Sequence, residues 1–161
     1  MADETFLSDI WSLYFHDPND NDWTTNSYHF IYNINTVETF CIIFHHFKDY
    51  WNKGMFFIMR EGITPRWEDE SNINGGCFSI KVFPNDLEDY WFELASTLLG
   101  DTLAINEEHS FNINGISISP KNKYFIIRIW CKDDSITKRE FYNISSKRSN
   151  TILYKKHSDN V

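Results

Sequence analysis

Two stretches of the chain carry apolar side chains at helical spacing. Val37, Phe40, Cys41, Phe44 and Phe47 recur at intervals of one, three and four residues, which places them on one stripe and predicts a helix over 36–50. Asn35, with Glu38 three residues on, reads as a capping box at its start. A second stripe, Leu87, Tyr90, Trp91, Leu94, Ala95, Leu98 and Leu99, runs between Asn85, paired with Glu88 in the same way, and a stop at Gly100. Elsewhere the apolar residues alternate with polar ones or are β-branched and aromatic, which predicts strands at 11–15, 28–34, 55–60, 77–83, 113–118, 124–130 and 151–155. Short turn segments such as Asn74-Gly75-Gly76 and Pro120-Lys121-Asn122 favour antiparallel pairing. The expected class is α+β: a curved antiparallel sheet of about seven or eight strands, backed on its convex face by two or three helices. The other face is then free to curve around a ligand.

Composition sharpens this picture in three ways. At 161 residues, 42% hydrophobic and 24% charged, the chain is expected to form one domain over 1–161 with a real core. No apolar run is long enough to cross a bilayer, and the first residues, Met1-Ala2-Asp3-Glu4, lack a signal-type apolar region, so a cytoplasmic protein without membrane contact is expected. Cys41, Cys77 and Cys131 are odd in number and widely spaced, indicating neither a disulfide framework nor a zinc site, and no cofactor is implied.

A net charge of -8 argues against a protein that wraps along a nucleic-acid backbone. The distribution is uneven, however. Residues 1–120 hold 5 basic and 19 acidic side chains, whereas 121–161 hold 10 and 4, so a local anion site in the last third fits the pattern. Lys147, Arg148, Lys155 and Lys156 fit equally well as a solvated surface.

Six tryptophans are many for one small domain, and Trp23 and Trp67 stand in polar loops, Asn19-Asp20-Asn21-Asp22-Trp23-Thr24-Thr25 and Thr64-Pro65-Arg66-Trp67-Glu68-Asp69-Glu70. Either alone reads as a loop residue folded back on the core. As a pair beside Glu68 they suit a cationic purine such as 7-methylguanine. Each indole face adds stacking and a cation-π attraction, and a carboxylate accepts two charge-assisted hydrogen bonds from the base edge. A backbone N–H of the same loop would serve the guanine carbonyl. Lys121, Lys123 and Arg128 lie in or beside one predicted hairpin, where they could converge on phosphates.

The order Trp11, Trp23, Thr36-Val37-Glu38-x-Phe40, Gly62-Ile63-x-Pro65-x-Trp67-Glu68-Asp69-Glu70, Asn74-Gly75-Gly76, Tyr90-Trp91-Phe92-Glu93-Leu94 and Ile129-Trp130 resembles the eukaryotic translation initiation factor 4E family over nearly the whole chain. The resemblance implies a monomeric, non-catalytic protein that binds the 5' cap of mRNA on a concave sheet face. It implies Trp23 and Trp67 as the stacking pair, Glu68 as the base reader and Trp130 as the methyl contact. Lys121 falls where the family has a phosphate-binding arginine. Ile126 replaces its lysine and Cys77 a usual arginine, so Lys123 or Arg128 would have to compensate. On the convex side the family binds a scaffold or repressor helix with a Tyr-x-x-x-x-Leu motif. The matching positions here are Thr5-Phe6-Leu7, Val37, Cys41 and Phe92. Cys41 stands where the family has tryptophan, which removes a large anchor and implies a co-adapted partner or a homologue that sequesters caps without recruiting ribosomes. A third helix, at 136–145, would be truncated. Abundant Asn, Ile, Lys, Phe and Tyr are what a large DNA virus or an AT-rich protist would encode.

A nucleotide hydrolase using Glu68 and Glu70 is the reading from another class. His45-His46 adjoin a helix with no matching acid spacing, and no nucleophile-base pair or phosphate-cradling glycine loop is present in the sequence.

Overall fold

A computed structural model describes residues 3–144 and 152–160. Lys147 and Arg148 lie outside them, as do residue 145 of the expected third helix and residue 151 of the expected last strand. The described residues build seven strands: β1 (Phe6–His16), β2 (His29–Thr36), β3 (Met55–Arg60), β4 (Gly76–Val82), β5 (Ile113–Pro120), β6 (Phe125–Cys131) and β7 (Ile152–Lys156). They form one antiparallel sheet in the order β2-β1-β3-β5-β6-β4-β7. Two α-helices, α1 (Val37–His46) and α2 (Pro84–Leu99), cover one face. The architecture is the curved α+β sheet expected from the alternation.

Alternation assigns the faces. Trp11, Leu13, Phe56, Ile58, Phe78, Ile80, Ile116, Ile118, Ile127 and Ile129 point to the helices and join α2's Leu87, Trp91, Leu94 and Leu98 in one core. The intervening positions, Tyr14, Phe57, Met59, Cys77, Ser79, Ser117, Arg128 and Trp130, face the open side, where some of them form a second, smaller apolar cluster with Trp67 packed against it.

The helix ends differ from the sequence expectation for identifiable reasons. α1 is capped by Thr36, whose hydroxyl accepts from the Thr39 N–H at 3.1 Å, and not by Asn35. Glu38 is thereby released to accept the Thr5 N–H with both oxygens. The helix stops at His46, short of residue 50, because Trp51 must turn inward: it is 2% exposed and packs on Phe44, Phe56 and Trp91 with ring centroids 4.8, 4.9 and 5.9 Å away. The Asn85–Glu88 capping box is also absent. α2 starts at Pro84, which fits the first helical turn because its missing N–H would be unpaired there anyway. At the other end Asp101, not Gly100, takes the left-handed conformation, with φ 58°. Over 136–144 the chain forms only a 3-10 turn, Arg139–Phe141, in place of a third helix.

Candidate ligand-binding cleft

The loop after β1 is shaped by its aspartates. Asp17, Asp20 and Asp22 each accept the N–H two residues on, from Asn19, Asp22 and Thr24, at 2.8–2.9 Å, giving three successive Asx turns. These carry Trp23 back over the end of β1, where its indole lies flat on His16, 4.1 Å between centroids and 5° between planes. His16 is wholly buried and fixed by a 2.8 Å contact from Nε2 to the Asp22 carbonyl. Trp23 nevertheless remains 48% exposed, leaving indole surface for a ligand.

The loop between β3 and β4 is held from beneath by two asparagines. Buried Asn72 donates to the carbonyls of Thr64 and Arg66 at 3.1 and 2.8 Å, and its own carbonyl accepts from Asn114 on β5 at 2.9 Å. Asn114 also donates to the Ser71 carbonyl at 2.7 Å. The Asp69 carboxylate takes the N–H groups of Thr64 and Ser71. Gly75 ends the loop where a Cβ would come within 1.9 Å of the Cys131 carbonyl oxygen, so no larger residue lets it run this close to β6. A network this fully satisfied fixes the backbone, and it presents Trp67 half-buried and Glu68 exposed. The N–H groups of Trp67 and Glu68 donate to no acceptor among the described residues.

Arg66 ties the two loops together. Its guanidinium donates to the Trp23 carbonyl at 3.1 Å and to the Thr25 hydroxyl at 3.3 Å, and stands 3.5 Å from the Glu68 carboxylate. As a result Trp23 and Trp67 line one cleft of about 340 Å³, floored by Met55, Phe57 and Trp130 and edged by Lys121 and Arg128. That volume is the size of a small-molecule site. Trp130 is only 7% exposed, and its indole N–H donates to Ser117 at 3.0 Å.

A second hollow of about 430 Å³ adjoins the first and shares Trp67, Arg128 and Trp130 with it, adding Cys77, Ser79, Lys155 and His157. Cys77 Sγ lies 3.7 Å from His157 Nε2. Burial pushes the Cys77 thiol well above its usual range, and burial also holds His157 below the ordinary histidine value, so the pair is a neutral thiol beside a neutral imidazole at pH 7. Tyr28, at the cleft wall, is raised to about 12 by burial and then by the charge of Glu68. Partial burial and the neighbouring Arg128 guanidinium lower Lys121 from its ordinary value. Neither Lys121 nor Arg128 forms an ion pair among the described residues, which leaves two cations at the cleft edge suited to an anion.

Of the residues singled out in the sequence, the structure brings Trp23, Trp67, Trp130, Lys121 and Arg128 to one cleft; Glu68, next to Trp67 in the chain, is exposed beside Arg66 and does not itself line the cleft. Lys123 lines neither hollow; it stands at the exposed tip of the β5–β6 turn. On the opposite face Cys41 and Phe92 line a groove of about 390 Å³ between α1 and α2 with Phe44, His45, Lys48, Trp51, Glu88 and Asp89. Val37, 40% exposed, lies at the start of α1 outside that groove. Phe6 is exposed and pairs with Thr36. No group of three or more His, Cys, Asp or Glu side chains among the described residues is arranged to hold a metal ion. Sequence reasoning missed His16, Arg66, Asn72 and Asn114, and left Lys155 between an anion site and a solvated surface. The aspartate spacing before Trp23 was a usable signal for the first loop, whereas an asparagine in a polar loop looks like any turn residue.

The family model described as eukaryotic initiation factor 4E matches residues 6–161. The Xenopus laevis eukaryotic translation initiation factor 4E is 29% identical over 132 residues, covering 77% of this chain and 60% of that protein. A homolog from Acanthamoeba polyphaga mimivirus is 41% identical over 64 residues, covering 40% of this chain and 24% of its own length. The chain thus spans less than two thirds of these curated relatives. Among solved structures, C. elegans eIF4E-3 in complex with the 4E-binding protein Mextli and cap analog superposes with a TM-score of 0.82 at 22% identity, covering 98% of this chain and 95% of that one. Schistosome eIF4E complexed with m7GpppG and 4E-BP gives 0.83 at 22%, covering 99% and 92%. At this identity the two structures establish the shared fold.

Proposed function

The chain belongs to the eukaryotic initiation factor 4E family, and on that premise we propose that it binds the 7-methylguanosine 5' cap of mRNA, without catalysis, as a single domain that recruits messages for translation initiation in the cytoplasm. The observation that carries this reading is the one cleft bounded by Trp23 and Trp67. A methylated guanine between two indoles gains about 0.5–2 kcal/mol of cation-π attraction per ring, so the cleft discriminates against the unmethylated base by roughly one to three orders of magnitude. Glu68 accepts from the base's ring N–H and amino group, and the free N–H groups of Trp67 and Glu68 are donors for its carbonyl. Trp130 supplies the floor that meets the methyl group. Arg128 and Lys121 take the phosphates, with Lys155 across the second hollow. The test is tryptophan fluorescence: 7-methyl-GTP quenches it strongly and GTP weakly, and equal responses to both would refute the assignment.

One observation favours a second reading of the outcome. On the helical face the family's large anchor is replaced by exposed Cys41, so a scaffold helix of the Tyr-x-x-x-x-Leu type docks weakly against Val37, Cys41 and Phe92. The protein then sequesters caps or uses a partner fitted to the groove. Capture of an immobilised Tyr-x-x-x-x-Leu peptide by the wild-type chain supports recruitment; capture only after Cys41→Trp supports sequestration or a private partner.

A further inference from the structure

The far end of the open face carries a second aromatic and basic group that the cleft does not use. The Lys81 ammonium on β4 sits over two rings, 4.3 Å from the centroid of Tyr124 and 5.2 Å from that of Phe83. Phe83 is 53% exposed and Tyr124 is half-buried. Strand register explains the meeting. Lys81 pairs with Ile126 and Val82 with Phe125, so Lys81 and Ile126 share the open face with Ser79, Arg128 and Trp130, and Phe83 and Tyr124, one residue beyond the ends of β4 and β6, meet Lys81 there. The turn between β5 and β6, closed by the Lys121 N–H on the Tyr124 carbonyl at 2.8 Å, adds Lys121 and Lys123 beside them.

These features fit one kind of occupant. In a molecule of net charge -8, Lys81, Lys121 and Lys123 form no ion pair among the described residues. An exposed Phe83 ring and a half-buried Tyr124 ring, beside lysines that form no carboxylate ion pair, suit a nucleobase stacked against the rings and the Lys81 ammonium with its phosphates on Lys121 and Lys123. The patch is continuous with the cleft, because Lys121 lines the cleft and belongs to the same turn as Lys123 and Tyr124. From Trp130 to Tyr124 along β6 is about 20 Å at roughly 3.3 Å per residue, a span that a triphosphate and one nucleoside can cross with Arg128 between them.

We propose that Phe83, Lys81 and Tyr124 form a stacking platform for the first transcribed nucleotide of a capped RNA. This rests on the cap-binding reading of the cleft and adds to it a site that grips the body of the message. The platform is sequence-tolerant, since every base offers a π face.

The experiment compares the affinity of the wild-type chain for 7-methyl-GTP, for the dinucleotide cap 7-methyl-GpppA, and for a capped trinucleotide. Wild type is expected to bind the extended caps at least five-fold more tightly than 7-methyl-GTP, the low end of one stacked base. Phe83→Ala and Tyr124→Ala should erase most of that gain and leave 7-methyl-GTP binding unchanged, while Tyr124→Phe should keep it. Phe83 is exposed, so its variant tests the platform even if Tyr124→Ala fails to fold. A wild-type chain that binds 7-methyl-GTP but gains nothing from added nucleotides, or a gain that both alanine variants retain, overturns the platform alone. Failure to bind 7-methyl-GTP at all overturns the cap reading and the platform with it.

Discussion

The six tryptophans divide into two sets of three, and the sets behave as different residues. Trp11, Trp51 and Trp91 are at most 2% exposed and lie in the core between sheet and helices. Trp51 and Trp91 are surrounded there by other rings and pack chiefly by shape. Trp23, Trp67 and Trp130 stand on the open face and are positioned by polar groups: the His16 imidazole under Trp23, the Asn72–Asn114 pair beneath the Trp67 loop, and the Ser117 hydroxyl on the Trp130 indole. In the core an indole fills space. On the open face Trp23 and Trp67 are held with indole surface left uncovered, and the cost of fixing the set is shared between hydrogen-bonded loops and the apolar cluster that buries Trp130. A substitution in the first set should therefore unfold the chain, and one at Trp23 or Trp67 should spare the fold and remove the ligand.

That contrast can be broken most visibly at Trp91. Trp91→Ala empties the centre of the core and is expected to lower stability by about 3–5 kcal/mol, read as a loss of cooperative unfolding or a large fall in Tm. Trp67→Ala and Glu68→Ala come next. Each should abolish retention on a 7-methyl-GTP resin, with at least a hundred-fold weaker binding, about 2.7 kcal/mol, while the melting temperature stays near wild type. A soluble Glu68→Ala protein that still binds the cap would put the base-reading group elsewhere.

Asn72→Ala sits on the boundary between the sets, and its effect should be mixed. It leaves the Thr64 and Arg66 carbonyls without their donor, which is expected to lower stability by about 1–3 kcal/mol and weaken cap binding several-fold, because the loop that presents Trp67 loosens. Unchanged affinity in a destabilised variant would show that the network supports the fold only.

The smallest effect concerns pH. Burial lowers the folded-state pKa of His157 below its ordinary 6.5. The folded protein therefore binds this proton less readily than the unfolded chain, so the histidine's contribution is fully present above pH 6.5 and is lost as pH falls through the lower folded value. His157→Gln should flatten the decline of Tm in that window relative to wild type. An identical slope in both proteins would assign the acid sensitivity to other groups.

Legibility in the sequence followed the same division. Strand β3 agrees with its expected span residue for residue because an apolar run, Met55 to Met59, followed by Arg60 and bounded by Gly54 and Glu61-Gly62, leaves no alternative ends. The expected helix runs four residues past the C-terminal end of α1 because nothing local says that Trp51 must leave the helix axis to meet Trp91, forty residues away. At the site, Lys121 continues the alternation of Ser117 and Ser119 onto the open face, whereas Lys123 occupies the turn tip where alternation gives no direction. Arg66 and His16 were not readable as parts of the cleft, since their roles depend on which loop lies opposite them.

The most direct test of the central claim is a crystal structure of the chain with 7-methyl-GTP. The base should lie between the Trp23 and Trp67 indoles, with its edge on the Glu68 carboxylate and its phosphates toward Arg128 and Lys121. Density for the base in any other cavity, with both indoles left unstacked, would contradict it.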